Sequence, residues 1–339
     1  MRPGTDEHGG VPPHGRDMTQ QVVGLTLNYR DAQRTVRCIR SLLADGARHV
    51  LVWDNSDDAG CSAAEIAASI ADPRVSVVVA AANLGFAAGV NRALAWIGAR
   101  HRDARVMLLN NDAELYGGAL SALGAALDAV PEAVLAYPRI AQAHGSTGTV
   151  YYQPQLALLT RRRWPLSVPH ASGCALLFDP SRLPLPLFDE AFFMYGEDAE
   201  LGLRLAAGGR TMAHVACELV RHDGSASSGA GSEFYEARMV AAHCILARRI
   251  ARSRLTYAWL IGLRALVLPA RALLRASRQR SLQPLRALRD GWRLARGDDP
   301  ALRRAQVSQA ASSAESNAAT TAAQLTASTQ RNAPDGARR

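Results

Sequence analysis

Lysine is missing altogether: every one of the 39 residues counted as Lys or Arg is Arg. With alanine so abundant, this reads as codon composition before function. Cysteine is scarce, with five residues at 38, 61, 174, 217 and 244. They are odd in number and never in C-x-x-C spacing, so they read as small core residues in a reducing compartment. No G-x-G-x-x-G follows a strand, which argues against a dinucleotide cofactor. No serine sits in a G-x-S-x-G elbow, which leaves no hydrolase triad. Residues 1–17 are polar and rich in Gly and Pro, without the apolar core of a signal peptide. Cytoplasmic residence is the expectation, with Met18, just before the first apolar run, as a second candidate start.

What is present is unevenly placed. Between Ile245 and Ala305 stand fifteen arginines and three aspartates, +12 of charge against +9 for the whole chain, so the remainder carries −3. The chain therefore divides into a disordered N-terminus over 1–20, a catalytic domain over 21–244, an Arg-rich amphipathic helical segment over 245–305, and a disordered Ala/Ser/Thr/Gln tail over 306–339. Strand-like runs at Val22–Asn28, His49–Asp54, Val75–Ala80 and Arg105–Leu109 alternate with helical stretches at 34–43, 63–70 and 86–99. Such alternation predicts an α/β protein with parallel βαβ crossovers. Further on, Ser172–Phe178 and Thr211–Val220 read as strands, and helices are expected at 117–130, 197–207 and 234–252.

Ligands of such sheets bind at the carboxyl ends of the strands. Those ends are polar here: Asn28-Tyr29-Arg30, Asp54-Asn55-Ser56, Asn83-Leu84-Gly85 and Asn110-Asn111-Asp112. Asp54 can accept the ring N–H of uracil or thymine, or simply begin a turn. Asn83, Gly85 and Asn91 frame a helix start whose amides suit a diphosphate or a sugar, or whose glycines serve packing. Asp112 is the metal-ligand candidate, with Asn110 and Asn111 positioning ribose or water; Glu114 is either a further ligand or a helix cap. Glu197 and Asp198, adjacent carboxylates in apolar surroundings, suit proton abstraction from an attacking hydroxyl. They also suit the first turn of a helix. His222 can complete a metal shell. Together these residues point to transfer chemistry on a nucleotide-linked substrate.

The ordered set Asn28-Tyr29-Arg30, Asp54-Asn55-Ser56, Asn83-Leu84-Gly85-Phe86-Ala87-x-Gly89-x-Asn91, Leu109-Asn110-Asn111-Asp112, Phe188 to Asp198 and His222-x-Gly224-Ser225 resembles the inverting family 2 glycosyltransferases, most of all their rhamnosyltransferase-like branch. The resemblance covers roughly residues 20 to 250. It implies an A-type glycosyltransferase (GT-A) fold with a nucleotide-diphospho-sugar transferase-like, mostly parallel central sheet, extended by the basic C-terminal helices. It also implies a dTDP- or UDP-sugar donor, Mg2+ or Mn2+, and a glycan acceptor of the lipid-linked kind used for surface polysaccharide. It places base recognition on Asp54, the metal on Asp112 and His222, and the catalytic base on Asp198, beside Glu197. Asn28, Arg30, Asn55, Asn83, Gly85, Asn91, Asn110 and Asn111 become donor-binding candidates. Two departures stand out. The family's aspartate-rich metal motif is here Asn110-Asn111-Asp112, and its Glu-Asp-x-Asp-Leu string is Glu197-Asp198-Ala199-Glu200-Leu201. Rival readings are a UDP-hexose or UDP-galactofuranose transferase, and a nucleotide-sugar-binding protein with weak or no turnover.

In the basic segment, Leu255–Ala276 is apolar. At 100° per residue, Arg264, Arg271, Arg275 and Arg278 gather opposite Trp259, Leu263, Leu266 and Leu273/Leu274. Arg264 and Pro269 interrupt it as a membrane span. It fits an interfacial helix on an anionic membrane leaflet; a helix packed on the catalytic domain or on a dimer partner is the alternative. Aromatic interleaving is sparse, and nucleic acid is discounted as a partner.

Overall fold

A computed structural model describes residues 22–224 and 232–308. The disorder expected over 1–20, the start at Met18, Ser225 of the last motif, and the tail from 309 onward lie outside the described residues. Residues 306–308 continue a terminal helix, 300–308.

The chain opens β1 (Val22–Asn28), α1 (Ala32–Ala44), β2 (His49–Asp54), α2 (Cys61–Ser69), β3 (Val75–Val79), α3 (Gly85–Arg100) and β4 (Arg105–Leu109), the alternation its apolar runs predict. There follow β5 (Ala113–Leu115), α4 (Ala119–Ala129), β6 (Ala133–Gln142), β7 (Gly145–Thr147), β8 (Val150–Gln153), β9 (Leu158–Thr160), β10 (Val168–His170), β11 (Ala175–Phe178), α5 (Glu197–Ala207) and β12 (Thr211–His222). Three helices close it: α6 (Glu233–Ile250), α7 (Arg254–Gln279) and α8 (Gln283–Ala295). The segment boundary expected at 244/245 falls inside α6.

The main sheet runs β3-β2-β1-β4-β11-β6-β12-β5, with β7 on β6. Its first four strands are parallel. Beyond them the sheet is mixed, because β11 runs antiparallel to both β4 and β6 while β12 lies parallel to β6. A strand buried on both faces is apolar whichever way it runs, so composition cannot announce β11's direction. Period-two alternation sends Val50, Val52, Met107 and Leu109 to one face against α1 and α4. Val23, Leu25, Leu51 and Leu108 go to the other face, against α3 and α5. Leu25, Leu51 and Leu108 are fully buried, each contributing about 1.5–3 kcal/mol by transfer from water. Strand order reverses between β1 and β4, so their carboxyl ends open the crevice where ligands of such sheets sit. Three of the five cysteines, Cys38, Cys174 and Cys244, are buried, and all five are free thiols.

The C-terminal helices pack as one layer beside a small sheet, β10-β8-β9. Leu268 of α7 joins Ala157 and Cys244 in a core that takes in Val240, Leu288 and Trp292. The arginine face of α7 is turned inward. Arg264 is completely buried; its guanidinium donates to the Leu260 carbonyl at 3.0 Å, to the His243 carbonyl at 2.5 Å and to Tyr152 Oη at 3.1 Å. Arg271 donates to the carbonyls of Leu156 and Ala157, and Arg275 pairs with Glu236. The arginines expected to meet a leaflet therefore hold the helix to the protein. A buried guanidinium must find acceptors, and the carbonyls at these positions supply them.

Candidate active site

Asn28 ends β1 fully buried, and its amide organises the β1 and β2 termini. Its Nδ2 donates to Asp54 Oδ1 at 2.8 Å and to Ser56 Oγ at 3.0 Å, and its Oδ1 accepts from Thr35 Oγ1 at 2.7 Å. Asn111 Nδ2 reaches the same Thr35 hydroxyl at 3.1 Å. Asp54 is left with one carboxylate oxygen buried and unpartnered, an acceptor costly to keep dry without a ligand. Arg30 does not line the cavity. Its Nε and a terminal nitrogen hold the Ser56 and Asp57 carbonyls at 2.8 and 3.2 Å, so it shapes the β2 loop.

Asp112 and His222 are 110 residues apart in sequence. Antiparallel pairing of β12 with β5 sets His222 opposite Ala113, one residue past Asp112. His222 Nε2 and Asp112 Oδ1 then lie 3.1 Å apart, both nearly buried. Among the described residues no cluster of three His, Cys, Asp or Glu side chains exists. Two protein donors still fit Mg2+ or Mn2+, which take the rest of their oxygen shell from substrate phosphates and water. Asn110 Oδ1, buried without a partner, is a further oxygen in the same wall. Glu114 is neither ligand nor helix cap: Arg37 at 3.1 Å and Arg221 at 2.8 Å occupy its carboxylate.

The third wall comes from the loop before α5. Phe86 N donates to the Phe193 carbonyl at 2.7 Å, which brings that loop onto the start of α3. The approach needs Gly85: its φ is +79°, and a Cβ there would stand 2.3 Å from the same carbonyl. Asn83 Oδ1 caps the turn by accepting from Gly85 N at 2.9 Å, and Asn55 Nδ2 donates to the Gly85 carbonyl at 2.8 Å. Asn91, expected at the donor, instead clamps this loop. It donates to the Phe188 carbonyl at 2.8 Å and accepts from Phe188 N at 3.1 Å.

Glu197 and Asp198 begin α5 and both line the cavity. Asp198 Oδ2 accepts a long bond of 3.4 Å from Gly173 N, and its Oδ1 accepts from Ala199 N at 2.7 Å. Glu197 is buried, with Oε2 unpartnered. Burial, then the Asp198 charge, pushes its carboxyl up from an ordinary 4.5 to about 8. The unfolded chain loses this proton near 4.5 and the folded chain only near 8, so the group costs stability progressively as pH rises through that window. Glu197→Gln is expected to remove the loss. Melting followed by circular dichroism at about pH 5 and about pH 9 should show the variant gaining on the parent at the higher pH. An unchanged difference would refute the shift.

Sequence reasoning missed the roof. Phe234, Ala301 and Arg304 complete a cavity of about 530 Å3 whose walls hold Asn28, Asn55, Asn83, Gly85, Asn110, Asn111, Asp112, Glu197, Asp198 and His222. The terminal helix is seated by Ala305 against Ala80, Leu84 and Ala88. Asp299 holds its start. This carboxylate pairs with buried Arg238 of α6 and accepts from Ala301 N at 2.9 Å. The sequence signal was Asp298-Asp299-Pro300, a helix-start pattern, inside a segment read only for its charge. Among the described residues Arg304 has no ion pair.

Residues 25–181 match the family model described as glycosyl transferase family 2; Glu197, Asp198 and His222 lie beyond that match. A comparison with curated protein sequences found no match. Among solved structures, the chain is similar to GalNAc-T7 with UDP, GalNAc and Mn2+, with a TM-score of 0.50 and 13% identity over 66% of this chain and 47% of that one. It thus spans about half of that structure's length. It is also similar to the mannosyltransferase PcManGT from Pyrobaculum calidifontis in complex with GDP-Man and Mn2+, with a TM-score of 0.48 and 15% identity over 81% and 86% of the two chains. S. aureus TarS residues 1–349 gives a TM-score of 0.48 and 14% identity over 81% of each chain. The sheet order and the first of these likenesses give the GT-A fold, and the match to the glycosyl transferase family 2 model covers somewhat less than half of the chain.

Proposed function

We propose that this protein transfers a hexosyl group from a nucleoside diphosphate sugar to a glycan hydroxyl, with inversion at the anomeric carbon. The observation that carries the reading is the convergence of the Asp112–His222 pair and the Asp198 carboxylate on one cavity. On this reading one group serves the leaving diphosphate and the other the attacking hydroxyl.

The free oxygen of Asp54 suits the ring N–H of a pyrimidine base, and Arg304 in the cavity wall suits the diphosphate. A divalent cation, Mg2+ or Mn2+, would be held by Asp112 and His222 and supply Lewis-acid stabilisation of the departing diphosphate. GalNAc-T7, which shares the fold, holds UDP and Mn2+. Asp198 takes the acceptor proton as the hydroxyl oxygen bonds to the anomeric carbon. The bond to the diphosphate oxygen breaks, and its electron pair leaves with the nucleotide. Glu197, kept protonated by burial, adds no second negative charge beside the base. Displacement in one step inverts the configuration. The rhamnosyltransferase-like motif pattern makes dTDP-L-rhamnose the first donor, ahead of UDP-hexoses and UDP-galactofuranose, and a lipid-linked glycan the acceptor.

The test is release of nucleoside diphosphate from a panel of dTDP-, UDP- and GDP-sugars with Mn2+, Mg2+ or EDTA. Release is expected with one donor class, dTDP-L-rhamnose foremost, and is expected to stop under EDTA. Binding without release under either cation would leave a nucleotide-sugar-binding protein. Failure to bind any donor would sink both readings.

A further inference from the structure

The face that α7 turns away from the protein is apolar. Leu255, Trp259, Leu266 and Leu273 are 84%, 64%, 71% and 58% exposed, and Leu274 and Leu282 extend the stripe. At 100° per residue Leu255, Trp259, Leu266 and Leu273 fall within about 40° of one another and opposite Arg264, while Arg271 and Arg275 share the Arg264 side. The helix has 26 residues, so the stripe is roughly 39 Å long. Water-facing helices normally turn charge outward and large apolar side chains inward; this one buries Arg264 and leaves four large apolar side chains outward. A continuous exposed patch of this kind marks an interaction surface.

A second element carries the same chemistry. Residues Arg161-Arg162-Arg163-Trp164-Pro165-Leu166 form an exposed loop, with Trp164 45% and Leu166 72% accessible. None of its three arginines makes an ion pair among the described residues. The loop belongs to the small sheet whose β8–β9 turn is bonded by Arg271 of α7: Gln153 Nε2 reaches the Pro165 carbonyl at 3.4 Å, and Arg271 reaches the Leu156 carbonyl at 3.2 Å. Arg254, Arg278 and Arg280 stand exposed at the two ends of the stripe, also without ion pairs, and no acidic residue occurs from 254 to 289.

We propose that the outer face of α7 and the Arg161–Leu166 loop are two parts of one docking surface for a bilayer containing anionic phospholipid. Leucine and tryptophan enter the boundary between headgroups and acyl chains, and the arginines meet lipid phosphates. The charge selects this occupant over a second copy of the chain, because a two-fold contact through this face would set arginine rim against arginine rim. The helix lies on the bilayer and does not cross it. It is long and apolar enough to span by length and composition, but spanning would strip Arg264 of its bonds to His243 and Tyr152 of the folded domain.

Flotation of the full chain with phosphatidylcholine vesicles, with and without phosphatidylglycerol, tests this. The chain is expected to float with the anionic vesicles only. Leu266→Glu/Leu273→Glu and Arg161→Glu/Arg162→Glu/Arg163→Glu are each expected to lower the bound fraction about tenfold or more. Thermal melts should hold steady, because every substituted side chain is already in solvent. Failure to float with anionic vesicles would overturn the proposal, as would binding indifferent to both variants. A dimer seen by light scattering and broken by Leu266→Glu/Leu273→Glu, without vesicle binding, would give the face to a second copy.

Discussion

Asp198→Asn is expected to lower kcat for sugar transfer by about 10²–10⁴-fold, the usual contribution of a positioned general base. Donor affinity should stay within about twofold, since the rest of the cavity wall is untouched. The substitution keeps the side chain's shape and the Oδ1 that accepts from Ala199 N, but it removes a carboxylate from the cavity wall; Glu200, the next in the helix, does not line the cavity and is paired with Arg204. Glu197 is a poor substitute, because burial, the larger cause of its raised pKa, persists in the variant. Single-turnover transfer and donor titration, measured on the same preparation, separate the two effects. Near-normal turnover in the variant would exclude Asp198 as the base. A parallel fall in donor affinity would make it a binding group.

Asp299→Ala is expected to destabilise the fold by about 3–5 kcal/mol, the cost of leaving one partner of a buried ion pair uncompensated. Arg238 and Asp299 are 7% and 2% exposed, and the guanidinium stacks over Phe193 at 4.6 Å and Phe234 at 5.2 Å. A charge wedged between rings and stripped of its carboxylate has no route to water short of moving the terminal helix. That helix also loses its cap, worth about 1 kcal/mol. It carries Arg304, so donor affinity should fall along with stability. Urea unfolding gives the energy, and Arg238→Met/Asp299→Ala, which leaves neither charge, should recover most of it. A single-variant cost below about 1 kcal/mol would show that the pair does not hold the helix.

These expectations differ in how early they were legible. The four parallel strands could be read because each is a short, largely apolar run rich in Val and Leu, and three of them, β1, β2 and β4, end in or run into Asn or Asp. β6 escaped notice: Ala133–Gln142 holds Val134, Tyr137 and Ile140 but is broken by Pro138 and three alanines, so no period-two alternation marks it. Asp112 could be singled out from its strand end, but its contact with His222 depends on a register between β5 and β12 that no local pattern encodes. Arg30 and Asn91 stood in the right motifs, yet they hold backbone, because their donors reach carbonyls of neighbouring loops before they reach the cavity. On α7, periodicity divided the two faces correctly and left open which one turned inward. Arg264 decided that by finding three oxygen acceptors in the interior.

The buried Arg264 also sets a length scale. Its bonds to the His243 carbonyl and Tyr152 Oη fix α7 to the domain near the middle of the helix. A chain docked on a bilayer through that helix, as proposed above, would carry its cavity at one height above the lipid phosphates. Acceptors whose reactive hydroxyl extends to that height are served, and those much shorter or longer are not. The protein would then act as a gauge of how far a glycan has grown, with a side chain that never meets substrate fixing the reading.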